Sequence, residues 1–87
     1  MKTQLTHEDA KTIGPDEIIS TINTGVQIVE ATLPFLTLLF DKIKEAIDGI
    51  SGPNSPAGRL KRIEALEAQN LVQKELNKLY NEKLGLQ

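Results

Sequence analysis

The sequence predicts an all-α protein: two long helices, about residues 15–50 and 56–84, forming an antiparallel helical hairpin that assembles into an oligomeric helical bundle. Three observations predict it. Apolar residues recur at strict heptad spacing from Ile19 to Ile50. A Gly/Pro/Ser segment follows at 51–55. Beyond it lies a long stretch of strong helix formers, Leu, Ala, Glu, Lys and Gln.

Residues 1–14 read as a polar N-terminal arm, free to dock elsewhere. Thr6 followed by Asp9 has the form of a capping box and allows one or two helical turns near His7 to Lys11. Gly14-Pro15-Asp16-Glu17 is a stronger helix start, with proline suited to the first helical position and two acids in the positively polarised first turn.

The first helix, 15–50, carries the main signal. Ile19, Val26, Leu33, Phe40 and Ile47 take position a, and Ile22, Val29, Leu36, Ile43 and Ile50 take position d. Ser20, Asn23, Gln27, Glu30, Pro34, Thr37, Asp41 and Lys44 form a polar stripe at the b and e positions. Pro34 removes one backbone hydrogen bond, at about 3 kcal/mol. The register runs on without a skip, so the expectation is a kink near Pro34 rather than a break, with Thr32 and Thr37 helping to satisfy local backbone groups.

A second contact face, Ile18, Ile28, Phe35 and Leu39, widens the apolar arc to roughly 160°, more than a two-stranded seam needs. One neighbouring helix covers part of that arc. Self-association is the simplest way to cover the rest, because an exposed strip of Ile, Leu and Phe is sticky.

Residues 51–55 are the linker, and 56–87 the second helix with a short tail. Ser55 suits the N-cap, Pro56 the first turn and Gly85 the C-terminal stop. The seam of this helix is ambiguous. One register, Ile63, Leu66, Asn70, Gln73, Asn77, Tyr80 and Leu84, contains three polar positions; another, Ala65, Ala68, Val72, Leu76 and Leu79, drifts towards an 11-residue repeat. The expected packing residues are Leu60, Ile63, Leu66, Val72, Leu76 and Leu79, facing different partners along the helix. Arg62-Ile63-Glu64-Ala65-Leu66-Glu67 resembles a pattern of short three-stranded coiled coils, in which Arg and Glu bridge neighbouring chains. The preferred reading of those residues is a solvated, charged first turn.

Composition bounds the chemistry. The 87 residues contain no Cys, so disulfides, thiolate zinc sites and thiol nucleophiles are absent, and any core must be aliphatic with three aromatics, Phe35, Phe40 and Tyr80. His7 beside Glu8 and Asp9 reads as solvated rather than metal-ligating. Glu30 reads as a solvated carboxylate rather than a functional one. Asp41, Glu45 and Asp48 lack the loop geometry that calcium needs. Gly52 to Gly58 lacks the Gly-Lys-Ser/Thr ending of a phosphate-binding loop. The expectation is therefore no enzyme, no catalytic residue, no cofactor and no metal.

Charge is uneven: residues 1–52 hold four Lys against eight Asp and Glu, a net −4, and 53–87 hold six Lys and Arg against four Glu, a net +2. Arg59, Lys61 and Arg62 form the basic cluster, a possible partner patch that opposes the helix dipole. Without interleaved aromatics it makes a weak nucleic-acid footprint, and nucleic acid is not the expected partner.

The leading expectation is a structural or assembly protein, a homo-oligomer or a small subunit of a larger complex or virion. A second reading is a membrane-associated oligomer using the 18–40 segment, weakened by its Asn, Gln, Glu and Thr residues. A third is a regulatory or adaptor module binding through Arg59–Arg62. No signal-peptide pattern is visible at the start, so an intracellular or virion-interior setting is expected.

Overall fold

The computed structural model describes residues 4–85. The first three residues of the expected arm and the last two of the expected tail lie outside that range. The elements run β1 (Gln4–Leu5), α1 (His7–Thr12), α2 (Pro15–Asn23), β2 (Gln27–Ile28), α3 (Leu33–Asp48) and α4 (Pro56–Gly85). The protein is mostly helical, and its longest helices, α3 and α4, pack extensively on each other.

The helix expected over 15–50 is not continuous: in place of a kink near Pro34, the chain leaves the helix between Asn23 and Leu33. α2 stops at Asn23. Gly25 follows with φ +83°, and the Gly25 and Val26 N–H groups donate to the Ile22 and Thr21 carbonyls at 3.1 and 3.4 Å. This is the paired hydrogen-bond pattern of a Schellman stop, and it needs a residue at ease with positive φ. The chain then runs extended, and β2 pairs in parallel with β1, placing Gln4 beside Gln27 and Leu5 beside Ile28. The β-branched residues Val26, Ile28 and Val29 suit that conformation.

Thr32 restarts the helix. Its Oγ1 accepts the Phe35 N–H at 3.3 Å. Pro34 falls in the first turn of α3, where an amide proton has no intrahelical acceptor in any case. The proline therefore costs α3 nothing. The helix ends at Asp48, with Gly49 as its C-cap.

The N-terminal stretch is not a free arm. Leu5 and Ala10 are buried in the core. α1 carries a full capping box: Thr6 Oγ1 accepts the Asp9 N–H at 3.3 Å, and Asp9 Oδ2 accepts the Thr6 N–H at 3.2 Å. The Glu30 carboxylate accepts the His7 N–H at 3.1 Å, adding a negative charge at the α1 N-terminus. At the other end, Lys42 Nζ donates to the carbonyls of Ala10 and Ile13 at 2.6 and 2.9 Å. The His7 ring lies 5.6 Å from that of Phe35, a tilted aromatic contact.

One aliphatic core joins all of these elements: Leu5 and Ala10; Ile18, Ile19 and Ile22 of α2; Phe35, Leu36, Leu39 and Ile43 of α3; and Ala65, Ala68, Val72 and Leu76 of α4. Within a single chain, α1, α2 and β1 thus cover much of the arc whose width suggested a second molecule.

Candidate functional site

The residues of the expected seam divide by element. Ile19, Ile22, Leu36 and Ile43 are buried inside the chain; Val26, Leu33, Phe40, Ile47 and Ile50 are half-buried; Val29 is exposed. Of the second face, Ile18, Phe35 and Leu39 are fully buried and Ile28 is half-buried in β2. The polar stripe from Ser20 to Lys44 is exposed throughout, across the break as well as along the helices. Asn23 of that stripe donates from Nδ2 to the Glu64 carbonyl at 2.9 Å, tying the end of α2 to α4.

α4 has two different faces. Its inner face is Gly58, Ala65, Ala68, Val72 and Leu76, with Leu79 half-buried beside them. This face packs against α2 and α3, and at Gly58 against the linker residues Gly52 and Pro53. Leu60, Ile63 and Leu66, expected to pack, instead face outward and are exposed, because the Ala65–Ala68–Val72–Leu76 register occupies the core side. Tyr80 and Leu84 continue that outward row, and Leu71 is exposed on its flank. On the outer face Gln73 Nε2 donates to Asn77 Oδ1 at 3.1 Å.

The start of α4 is fixed by Ser55, whose Oγ accepts the Gly58 N–H at 3.1 Å and donates to the Gly52 carbonyl at 2.6 Å. Arg59, Lys61 and Arg62 are exposed on the first two turns that follow. An open groove of about 1210 Å³ runs between the 25–31 segment and the second half of α4, with Val26, Ile28, Ala31 and Leu71 as its apolar walls and Lys74 and Lys78 at its rim.

Among the described residues, no group of three or more His, Cys, Asp or Glu side chains is arranged to hold a metal ion. No helix among them is long and apolar enough to cross a membrane. Comparison with protein-family models, curated proteins and solved structures finds no match to this chain.

Two structural features escaped sequence reasoning. The anchoring of α1 by Lys42 has no local signature, since donor and acceptors lie about thirty positions apart. The close packing at Gly58 has none either, although a glycine so near a helix start is a prompt to look for one.

Proposed function

We propose that this chain is a non-enzymatic assembly protein that works by helix–helix association, with α4 as its associating element. One observation carries the reading. After its inner face is packed, α4 still presents two apolar groups on its outer side, Leu60, Ile63 and Leu66 near its start and Tyr80 and Leu84 near its end, with Asn70, Gln73 and Asn77 between them. Single exposed apolar residues need no explanation, but apolar groups clustered on the outer side of a helix favour a surface with a use. Length supports the same reading. At about 1.5 Å per residue the 30-residue α4 extends about 45 Å and the 16-residue α3 about 24 Å. A helix that outruns its own domain has surface to offer a neighbour.

The 18–40 segment gives less support to membrane association. It is divided among α2, β2 and α3, and Ile18, Phe35, Leu36 and Leu39 are fully buried in the chain's own core.

The test is sedimentation equilibrium of the purified chain over a wide concentration range, without detergent. A reversible rise in mass with concentration is the expected result. A well-behaved monomer at every concentration counts against self-assembly.

A further inference from the structure

Resting on that reading, we infer that the outer face of α4 from Ile63 to Leu84 docks a second copy of this chain, parallel and in register, as a short coiled coil.

The spacing comes first. Ile63, Leu66, Tyr80 and Leu84 fall on one 3–4 heptad frame whose middle positions are Asn70, Gln73 and Asn77. This is not the register that packs the monomer, which uses Ala65, Ala68, Val72 and Leu76. On a wheel of about 100° per residue the two sets centre roughly 130° apart. A helix satisfied on its inner face gains nothing within the monomer from a second heptad row. The apolar members of that row are accordingly open to solvent: Ile63 53%, Leu66 39%, Tyr80 51% and Leu84 62% exposed. The core face therefore lies to one side of the seam, while Asn70 and Asn77 also border the grooves that α4 forms with the 22–31 segment.

Polar positions choose the occupant. Asn70 and Asn77 take the a position. In a parallel, in-register pair each meets its own counterpart, and an amide is complementary to another amide as donor and acceptor. In an antiparallel pair over the same stretch, Asn77 faces Leu66 instead, leaving the amide against an apolar side chain. Buried Asn at a positions is a means of fixing register in coiled coils.

Charge makes the same choice. Arg62 is at g and Glu67 at the following e, and both are exposed. A parallel pair sets g of one copy beside e of the next heptad in the other, so Arg62 meets Glu67 twice by symmetry. An antiparallel pair sets g beside g and e beside e: Arg62 then meets Lys83, a repulsion, while Glu67 meets Lys74, an attraction, so its charges offset where those of the parallel pair add. Three polar layers among seven make the association weak and concentration-dependent.

The experiment uses the full chain. Sedimentation equilibrium compares wild type with Leu66→Glu and Leu84→Glu. Both residues are exposed, and Leu84 lies past the last buried position of α4, so circular dichroism is expected to be unchanged. Each substitution is expected to weaken self-association by at least about tenfold, about 1.4 kcal/mol. Orientation is read from Tyr80→Cys. The chain has no other cysteine, and only a parallel, in-register pair brings the two position-80 residues within disulfide reach, with Cα atoms about 4.4–6.8 Å apart. Oxidation is expected to give a covalent dimer. An oligomer whose mass ignores both Glu substitutions overturns this surface while leaving the assembly reading standing. An oligomer that depends on Leu66 but in which Tyr80→Cys does not cross-link overturns the parallel arrangement. A wild-type monomer at all concentrations overturns both the surface and self-assembly.

Discussion

Gly58 packs against the carbonyl of Gly52, and a Cβ at position 58 would overlap that carbonyl. Gly52 itself has φ +64°, so the linker turns sharply back over the first turn of α4. Replacing a helical glycine by alanine ordinarily stabilises by about 0.5–1 kcal/mol. At position 58 the sign is expected to reverse. The overlap is with backbone, which cannot rotate away, and overpacking costs about 1–3 kcal/mol. Thermal or urea denaturation of Gly58→Ala checks this, with Gly85→Ala as the comparison, since a Cβ at Gly85 meets nothing within 4 Å.

Lys42 anchors α1 through the last carbonyls of that helix. Lys42→Met keeps most of the aliphatic stem but removes the donor to Ala10 and Ile13. Hydrogen bonds from charged groups contribute about 1.5–3 kcal/mol, and partial exposure puts this one at the lower end. The loss is expected to be local. Amide hydrogen exchange should accelerate in α1 while α3 and α4 keep their protection. Equal acceleration in every helix would show that α1 is not a separable unit.

The corner between α2 and α3 rests on two residues whose roles are specific. Gly25→Ala forces an L side chain into φ +83°, at about 1–2 kcal/mol. Thr32→Ala removes the cap on the Phe35 amide, at about 1 kcal/mol. Thr32→Ser, which keeps the hydroxyl, is expected to recover most of the loss. Denaturation midpoints of the three variants check the set.

Those residues also explain what was legible. The linker, Ser55 and the span of α4 were readable because capping and proline signals are local. The break in the first helix was harder. Val26, Val29 and Leu33 continue the heptad arithmetic from Ile22 to Leu36, so periodicity alone spans the gap. The evidence against a single helix was present in Gly25, in the β-branched Val26, Ile28 and Val29, and in Thr32 two residues before Pro34. Each is modest alone, and together they outweigh the register. The inner face of α4 was visible as the Ala65–Ala68–Val72–Leu76–Leu79 row. Alanine contributes little apolar area, so the larger Leu60, Ile63 and Leu66 stand out in the sequence although they lie outside the monomer core. The burial of Leu5 and Ala10 depends on contacts far along the chain, and no local pattern encodes it.

Leu36 and Thr37 give the sharpest separation between a core and an interface. Adjacent in α3, Leu36 is fully buried and Thr37 exposed. Were Leu36 on an interface between copies, Leu36→Asp would yield folded, dissociated monomers. Its place inside one chain gives a different expectation. Removing the buried leucine side chain alone costs about 2–5 kcal/mol, and an unpaired carboxylate in an aliphatic core costs more. A domain of this size has about 5–15 kcal/mol of stability in total. Leu36→Asp is therefore expected to lose most of the helical circular dichroism signal, or to melt far below wild type. Thr37→Asp should stay within about 0.5 kcal/mol of wild type. A Leu36→Asp protein that keeps its helicity and only changes its sedimenting mass would move Leu36 from the core to an interface.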